Sequence, residues 1–342
     1  MTYIVTGGAG FIGSNIIKAL NQQGIDKIVA VDDLQDGNKI ANLSYCNIMH
    51  YMDKNDFLSA VQNHQLPFKN IKAVIHQGAC SDTMEHNGVY MMSNNYQYTL
   101  DLFDWCQDKK IPFLYASSAA VYGKGTTFIE DREYELPLNV YGYSKFLFDQ
   151  VLRRRMKKGL RSQAVGLRYF NVYGINEQHK GRMASVAFHH FNQYQERGFV
   201  QLFGGFDGYD AGMQTRDFIS VEDVVKVNLY FLQHPEISGI FNVGTGKGQS
   251  FNDLAVATIN TCRIAENKPA LSLQELIKQE ILRYIDFPES LKGKYQSFTQ
   301  ADLSKLRKIG YHDDFLTVEQ GVERYIKQLL VKNGQESLSN KS

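Results

Sequence analysis

The feature that most constrains the fold of this chain is a glycine-rich loop that begins at residue 7. The loop, Gly7-Gly8-Ala9-Gly10-Phe11-Ile12-Gly13, follows the apolar run Tyr3-Ile4-Val5 and opens a helical pattern over residues 11–20. Glycine permits the tight turn and lets the backbone approach a pyrophosphate. The helix N-terminus then directs unpaired N–H groups and a partial positive charge toward the phosphates. This order of strand, loop and helix predicts a dinucleotide-binding unit.

The rest of the first half alternates short apolar runs with helical patterns. Residues 28–31, 73–75 and 113–116 are predicted to be further strands. Apolar runs without polar alternation are typical of strands that are covered on both faces. Strands that alternate with helices predict an α/β fold with a doubly wound parallel Rossmann sheet and right-handed crossovers.

Beyond about residue 169 the pattern is less regular and predicts a smaller α/β domain. We expect a dinucleotide-binding domain of residues 1–170 plus about 219–244, and a substrate-binding domain of residues 171–218 plus about 245–332. Residues 204–212 have the composition of a flexible polar loop. The tail at residues 333–342 is polar, and we expect it to be frayed.

Composition argues against several classes of function. The chain has 342 residues and a formal net charge of +1, so nothing indicates a nucleic-acid partner. Its four cysteines, Cys46, Cys80, Cys106 and Cys262, form no CxxC pair, which argues against a disulfide framework and a thiolate zinc site. No metal is expected. The N-terminus enters the first strand without a signal peptide, and no apolar run is long enough to span a bilayer, so we expect a cytoplasmic protein without a membrane partner.

Two acidic residues, Asp32 and Asp33, end the second predicted strand, where a carboxylate that binds the cofactor ribose is expected. A carboxylate there favours NAD, because it repels a 2′-phosphate. Lys39 and Lys54, however, follow within reach of the same pocket. They could neutralise the acids or bind a phosphate, so the charges leave NAD and NADP about equally favoured.

A second group of residues is suited to acid/base chemistry. Tyr141 and Lys145 stand four residues apart on a predicted helix and therefore share one face. A nearby ammonium favours the phenolate and lowers the pKa of a tyrosine, which can then act as a base. Ser118 follows the predicted strand at residues 113–116, at a carboxyl end of the sheet, where it is placed to hydrogen-bond a substrate hydroxyl. Tyr141, Lys145 and Ser118 are the candidate catalytic residues.

These motifs resemble those of the extended short-chain dehydrogenases/reductases. The segment Thr215-Arg216-Asp217-Phe218-Ile219-Ser220-Val221-Glu222-Asp223-Val224 resembles the family segment in which an arginine binds the substrate diphosphate. The chemistry of Arg216 agrees, because a guanidinium forms bidentate bonds to phosphate oxygens. The resemblance implies a nicotinamide cofactor and a nucleotide-sugar substrate.

The resemblance is more specific to one group of sugar-nucleotide epimerases within that family. Residues 77–81, 94–98, 137–149, 179–189 and 291–303 are similar to that group, and the similarity extends to about Leu330. Dehydratases of the family carry an Asp-Glu pair after the catalytic serine. Ala119 and Ala120 occupy those positions and cannot donate protons, which argues against dehydration.

The epimerase resemblance implies bound NADP, with NAD as the alternative, and transient oxidation and re-reduction of one sugar carbon. It assigns acid/base roles to Tyr141 and Lys180 and a hydrogen bond to Ser118, and it implies a homo-oligomer, a pentamer. The cofactor-binding residues that the motifs and the resemblance imply are Gly7, Gly10, Phe11, Ile12, Gly13, Asp32, Asp33, Lys39, Lys54, Gln77, Gly78, Ala79, Cys80, Ser81, Asn94, Lys145, Val172 and Lys180. The implied substrate contacts are Ser118, Asn171, Arg182, His189, Phe203, Gly204, Gly205, Phe206, Arg216 and Tyr295.

Three departures from that group affect the expected substrate contacts. Gln77 stands where its members carry an acid, Arg182 replaces a small residue, and the loop at residues 207–215 is longer. Two other functions remain open. One is epimerisation at C4 of a UDP-hexose, and the other is a non-catalytic protein that senses the cofactor. Such sensing proteins typically lose the tyrosine or the lysine, whereas Tyr141 and Lys145 are both present.

Overall fold

The structure, a computed structural model, describes residues 1–289 and 296–339. The chain divides into two compact units. The first unit comprises Met1–Phe170, Val224–Val243 and Asp302–His312, and the second comprises Asn171–Asp223, Gly244–Ala301 and Asp313–Ser342.

Strands and helices are interspersed along the described residues, and each kind is numbered separately in chain order. The strands are β1 (Thr2–Thr6), β2 (Ile28–Asp32), β3 (His50–Asp53), β4 (Ile71–His76), β5 (Phe113–Ser118), β6 (Ala164–Tyr169), β7 (Asn171–Tyr173), β8 (Val200–Phe203), β9 (Thr215–Arg216), β10 (Phe218–Ser220), β11 (Gly239–Val243), β12 (Gln249–Ser250) and β13 (Leu282–Ile285). The α-helices are α1 (Phe11–Gln22), α2 (Ile40–Leu43), α3 (Lys54–Gln62), α4 (Gly88–Met91), α5 (Tyr98–Lys109), α6 (Val140–Lys158), α7 (Val186–Arg197), α8 (Val221–Gln233), α9 (Phe251–Ala265), α10 (Leu273–Lys278), α11 (Ser304–Lys308) and α12 (Val318–Ser339).

The first unit is built on a seven-stranded sheet in the order β11-β6-β5-β4-β1-β2-β3. Every neighbouring pair of strands is parallel. All five residues of β2 are buried, as expected for an apolar strand that is covered on both faces. The predicted doubly wound parallel sheet is confirmed. The strand order reverses between β1 and β4, and in such sheets the crevice at the carboxyl ends of these two strands is where ligands bind.

Aromatic side chains fill much of the core of the first unit. Phe113 of β5 stacks on Tyr115, and Phe148 of α6 meets the Tyr115 ring edge-on at a centroid distance of 4.7 Å. Phe103 of α5 meets Phe148 at 5.6 Å in the same manner. Such pairs stabilise a core beyond their area of burial. They fix α6, which carries Tyr141 and Lys145, against the sheet.

The second unit contains three two-stranded sheets, β7 with β10, β9 with β12 and β8 with β13. Its helices α7, α9 and α12 contribute buried residues to a separate core, including Phe191, Leu254, Ile259, Val322 and Ile326. Capping boxes begin both α9 and α10, in which a serine and an acid three residues later satisfy each other's backbone N–H groups. The predicted second half therefore has its own hydrophobic core.

The structure differs from the predicted organisation in four details. Residues 302–312 belong to the first unit and not the second, since the Tyr230 hydroxyl donates to the carbonyl of Ile309 at 2.7 Å. The later segment of α8 and β11 that returns to the first unit comprises residues 224–243, whereas the sequence predicts about 219–244. Helix α12 extends to Ser339, into the segment that we expect to be frayed. Residues 204–212 form a turn that is closed by a bridge between Phe206 and Tyr209.

Two features are absent from residues 1–289 and 296–339, the part of the chain that the structure describes. In this part of the chain no helix has both the length and the apolar character needed to cross a bilayer. Nor do its His, Cys, Asp and Glu side chains form a group of three or more that could hold a metal ion.

A buried histidine in the second unit should make stability depend on pH. His190 on α7 is 2 % exposed, and its Nδ1 has no hydrogen-bond partner among the residues that the structure describes. Burial, with a smaller contribution from His189, lowers the pKa of His190 to about 3. The unfolded chain therefore binds a proton below about pH 6.5 that the folded chain does not, so stability falls as the pH drops from 6.5 toward 3.

The expected slope for this one group approaches about 1.4 kcal/mol per pH unit. Urea unfolding at pH 6, 5 and 4 measures it. His190→Gln should unfold with a shallower pH dependence than the unchanged protein over this interval. Equal slopes for the two proteins would show that His190 is protonated in the folded state.

Candidate active site

The glycine loop joins β1 to α1 at the carboxyl edge of the sheet. Gly7 has a positive φ of 65°, a conformation that favours glycine, and its carbonyl accepts from the N–H of Gly10 at 3.0 Å. A Cβ atom added at Gly13 would lie 2.1 Å from the Gly7 carbonyl oxygen, and one at Gly7 would lie 2.7 Å from the backbone nitrogen of Gly78. The loop therefore requires glycine at both positions. Phe11 is buried against the core, and Ile12 is half-buried.

Gly13→Ala should open this turn, because the new methyl group meets backbone atoms that have no alternative position. Backbone strain of this kind costs about 1–3 kcal/mol, which corresponds to roughly a ten- to hundredfold loss of dinucleotide affinity. Fluorescence titration with NADPH measures the affinity. Gly88→Ala is the matched control, since a Cβ there has only an ordinary contact at 3.9 Å. Unchanged affinity of Gly13→Ala would contradict the role assigned to the loop.

The acids at the end of β2 bind both the glycine loop and the two predicted lysines. Asp32 is buried and accepts from the backbone N–H of Ala9 at 2.8 Å and from Lys39 at 3.1 Å. Lys54 lies 2.8 Å from the carboxylate of Asp33. Burial raises the pKa of Asp33, but the hydrogen bonds from Lys54 and the Gln35 backbone and the charges of Lys54 and Lys39 together outweigh it, so the pKa is lowered. Two carboxylates and two ammonium groups thus form a nearly neutral cluster at this edge.

The loop after β4 lies beside the glycine loop and is held by polar contacts. Gln77 Nε2 lies 3.4 Å from Asn228 Oδ1. The side chain of Asn95 accepts from the backbone N–H of Cys80 at 2.8 Å and donates to its carbonyl at 2.9 Å. Asn94 accepts from Lys54 at 3.3 Å. Gly78 and Ala79 are half-buried, and Ser81 is exposed.

Asn94 and Asn95 lie on a π-helical stretch, Met92–Gln97, that precedes α5. Such bulges are frequent at functional sites because they redirect side chains out of the regular helical pattern. The sequence analysis found Asn94 by resemblance but missed Asn95, whose side chain is the one that holds the loop.

Ser118, Tyr141 and Lys145 come together within the first unit. Ser118 is the last residue of β5, and Tyr141 and Lys145 occupy successive turns of α6, which Asn139 caps by accepting from Gly142 N–H at 2.8 Å. Burial raises the pKa of Tyr141, and a hydrogen bond with Ser118 offsets part of that rise. Lys145 is 4 % exposed, and burial lowers its pKa to about 8 even though Asp149 acts in the opposite direction. The predicted YxxxK face is therefore formed, with its tyrosine hydrogen-bonded to the predicted serine.

A buried charge network lies behind this helix and was missed by the sequence analysis. Asp149, one turn after Lys145, accepts from the hydroxyls of Tyr115 at 2.7 Å and Ser117 at 3.0 Å and from Arg168 Nε at 2.9 Å. Arg168 also pairs with Glu135. The spacing of four residues between Lys145 and Asp149 is a signal in the sequence. It does not reveal that the partner is an arginine in the next strand.

In the second unit, Lys180 lies on a 3-10 helical segment, Gln178–Met183. Burial lowers the pKa of Lys180, and the nearby Glu177 opposes this. Glu177 is fully buried and anchors the segment by accepting from Ser185 Oγ at 2.7 Å and from Gly174 N–H at 3.2 Å. The sequence analysis did not single out Glu177, although it is the carboxylate that places Lys180.

The remaining predicted substrate contacts also belong to the second unit. Arg216 is buried, stacks over the Phe251 ring at 5.5 Å and donates to the Thr215 carbonyl at 2.9 Å. Arg182 is exposed, and its carbonyl lies 3.3 Å from His189 Nε2. The half-buried Phe203 and Phe206 pack against Phe287, Gly204 and Gly205 lie between them, Asn171 is exposed and Val172 is half-buried on β7. Tyr295 lies outside the described residues.

Comparison with known proteins places the chain in a family. The model of the NAD dependent epimerase/dehydratase family matches residues 3–244. The chain belongs to this family.

Among solved structures, the chain is similar to the ADP-L-glycero-D-manno-heptose-6-epimerase of Helicobacter pylori, with 28 % identity over 96 % of each chain and a TM-score of 0.76. It shares the fold of the UDP-N-acetylglucosamine 4-epimerase of Methanobrevibacter ruminantium, with 24 % identity over 97 % of this chain and 98 % of that one and a TM-score of 0.77. The same holds for the UDP-glucose 4-epimerase of Thermus thermophilus, solved with NAD, with 24 % identity over 96 % and 98 % and a TM-score of 0.74.

Proposed function

We propose that this protein inverts C6 of the heptose in ADP-D-glycero-β-D-manno-heptose and gives the L-glycero epimer, by transient oxidation and re-reduction with bound NADP. The observation that carries the proposal is the grouping of Ser118, Tyr141 and Lys145 in the unit that contains the glycine loop. Ala119 and Ala120 follow Ser118, so the chain lacks the acid that would expel water at that point. This favours epimerisation over dehydration.

The choice of a heptose over a hexose rests on similarity. The 28 % identity to the Helicobacter pylori 6-epimerase spans nearly the whole of both chains. The segments at residues 137–149 and 179–189 resemble the same group of epimerases. The 4-epimerases of UDP-hexoses share the fold at 24 % identity, and C4 epimerisation is therefore the second candidate.

The residues of the first unit fit a dinucleotide. Glycine at positions 7 and 13 keeps this turn tight, because a Cβ at either position would meet backbone atoms of Gly78 or Gly7, and α1 begins directly after the loop with no side-chain cap on its first N–H groups. Gly7, Gly10 and Gly13 would hold the pyrophosphate, Asp32 the adenosine ribose and Lys145 the nicotinamide ribose. When bound, the nicotinamide supplies the hydride acceptor and donor.

The acid/base work falls to side chains of this chain. Tyr141 takes the proton from the hydroxyl of the reacting carbon while Ser118 donates a hydrogen bond to the same oxygen, and Lys180 returns a proton to that oxygen when hydride is delivered to the opposite face. The Lys145 ammonium favours the Tyr141 phenolate. Lys180, whose pKa burial lowers, supplies the second acid/base group that inversion from the opposite face needs.

We propose NADP as the cofactor because the acids of β2 are neutralised. Lys39 pairs with Asp32 and Lys54 with Asp33, so a 2′-phosphate would not meet uncompensated negative charge. We further propose, from resemblance alone, a cytoplasmic homo-oligomer, a pentamer, that serves lipopolysaccharide core precursor synthesis. Light scattering coupled to gel filtration tests the assembly.

The deciding experiment follows C6 by NMR. The purified protein is incubated with ADP-D-glycero-β-D-manno-heptose without added cofactor, then with NADP⁺ or NAD⁺. Conversion to a mixture of both epimers without added cofactor supports the proposal and indicates a resident dinucleotide. No conversion under any condition would overturn the heptose assignment, and conversion of UDP-glucose to UDP-galactose would then support the 4-epimerase instead.

A further inference from the structure

His76 ends β4 directly before the loop at residues 77–81, and the proposed mechanism gives it no role. Its side chain is 1 % exposed. Both ring nitrogens lie within hydrogen-bond distance of a threonine hydroxyl. Nδ1 is 2.6 Å from Thr6 Oγ1 on β1, and Nε2 is 2.8 Å from Thr99 Oγ1 on α5. The imidazole thus bridges a strand and a helix on two sides of the loop.

The direction of each hydrogen bond in this bridge follows from counting hydrogens. The Thr99 hydroxyl donates its single hydrogen to the carbonyl of Asn95 at 2.6 Å. His76 must therefore donate to Thr99 from Nε2, which leaves Nδ1 of a neutral ring to accept from the Thr6 hydroxyl. The oxygen of Thr6 in turn accepts from the backbone N–H of Gly78 at 3.2 Å.

The ring is neutral in the folded protein. Burial, assisted by the positive charge of Lys145, lowers the pKa of His76 to about 3. The donor–acceptor pattern is therefore the same throughout the pH range in which the protein works. It runs in one direction from Gly78 through Thr6, His76 and Thr99 to Asn95.

The two ends of this chain of hydrogen bonds hold the two ends of one short loop. At one end Thr6 holds the N–H of Gly78. At the other end Asn95, whose carbonyl accepts from Thr99, binds the N–H and the carbonyl of Cys80 through its side chain at 2.8 and 2.9 Å. The loop also packs closely on the glycine loop, because a Cβ at Gly78 would lie 3.1 Å from the Gly7 nitrogen.

We propose that His76 is a positioning residue for dinucleotide binding, which holds residues 78–80 against the glycine loop without touching the cofactor. The inference rests on the proposed function only in its use of a nicotinamide dinucleotide. The sugar substrate and the site of epimerisation do not enter it.

Three substitutions of His76 distinguish the contributions of its two hydrogen bonds. In His76→Asn the amide oxygen can take the place of Nδ1 and accept from Thr6, but nothing reaches Thr99. In His76→Gln the amide nitrogen can take the place of Nε2 and donate to Thr99, but the acceptor for Thr6 is lost. His76→Phe keeps a planar ring and removes both hydrogen bonds.

The measurement is the dissociation constant of NADPH for the full-length protein, freed of resident dinucleotide and titrated by fluorescence without sugar. We expect His76→Phe to bind about tenfold more weakly, the effect of losing one or two buried hydrogen bonds. His76→Gln should follow it, because the acceptor that orients the Thr6 hydroxyl beneath Gly78 is lost, and His76→Asn should lie closest to the unchanged protein. Equal dissociation constants for His76→Phe and the unchanged protein would overturn the inference.

Two controls distinguish positioning from general loss of stability. His190→Gln alters a buried histidine of the second unit and should lower the melting temperature with no change in NADPH affinity. Thr6→Val removes the hydroxyl that connects His76 to the N–H of Gly78, and it should weaken binding at least as much as His76→Gln does, even if His76→Phe fails to fold. Unchanged affinity in Thr6→Val would count against the inference.

If the unchanged protein bound neither NADPH nor NADH, both the proposed function and this inference would fail. Binding without epimerisation would remove the proposed function alone.

Discussion

Replacing Tyr141 with phenylalanine should lower turnover by about a thousandfold, within the range that one general acid/base group contributes. The substitution removes only the phenolic oxygen from a half-buried ring on α6. Without it, no group at this position can take the proton from the sugar hydroxyl. Lys145 does not replace it, because this residue lies one turn further along the helix and is assigned to the nicotinamide ribose.

Cofactor and substrate affinities of Tyr141→Phe should stay close to those of the unchanged protein. The ring keeps its packing, and the hydrogen bond with Ser118 is the one interaction known to be lost. Initial rates of C6 epimerisation, with NADPH titration in parallel, measure both properties. Tyr143→Phe is the matched control, since Tyr143 lies two residues away on the same helix and its side chain is 45 % exposed. It should keep full turnover.

Two outcomes would contradict the assignment in different ways. Undiminished turnover in Tyr141→Phe would show that another group performs the proton transfer. Loss of dinucleotide binding together with turnover would assign Tyr141 to the cofactor cradle and leave the base unidentified.

Much of the fold could be predicted from the sequence because its signals are local. The glycine loop, the strands at residues 28–31 and 113–116, and the shared face of Tyr141 and Lys145 each depend on residues within one or two turns of chain. Such patterns are fixed by backbone sterics and by the periods of helix and strand.

The parts that the sequence did not reveal depend on contacts between distant residues. Asp149, Glu135 and Arg168 are ordinary charged residues in the sequence, and only the packing of α6 on the sheet makes them one buried network. Residues 302–312 join the first unit through contacts with segments that precede them by about 60 residues or more, among them the bonds from Asn242 to Asp302 and from Tyr230 to Ile309. His76 lies in an apolar strand, and its partners Thr6 and Thr99 are 70 and 23 residues away. No local period indicates such pairings.

The same network gives the largest expected change in stability. Arg168 is fully buried at the end of β6, and its guanidinium contacts the carboxylates of Asp149 and Glu135. Arg168→Met keeps an unbranched apolar stem but leaves both carboxylates without this counter-ion. Removing one partner from a buried ion pair costs about 3–5 kcal/mol, because the remaining charge is buried and poorly compensated. Arg153, which donates to Glu135 at 2.8 Å, and the hydroxyls that bind Asp149 recover only part of this.

Urea unfolding of Arg168→Met at pH 7 measures the loss, and Arg155→Met is the matched control. Arg155 pairs with Asp104 at 2.8 Å, but both side chains are about half exposed, so its loss should cost less than about 1 kcal/mol.

The pH dependence of the stability difference between Arg168→Met and the unchanged protein adds a second test. Burial raises the pKa of Glu135, but hydrogen bonds from Arg153 and the charge of Arg168 outweigh it and lower the pKa, so the folded protein gains stability from the ionised form at neutral pH. Without Arg168 the folded state favours the protonated carboxyl groups, so the difference from the unchanged protein should shrink as the pH falls from 7 toward 5. A difference that stayed constant over this interval would mean that packing of the arginine stem, and not its charge, stabilises the core beneath α6.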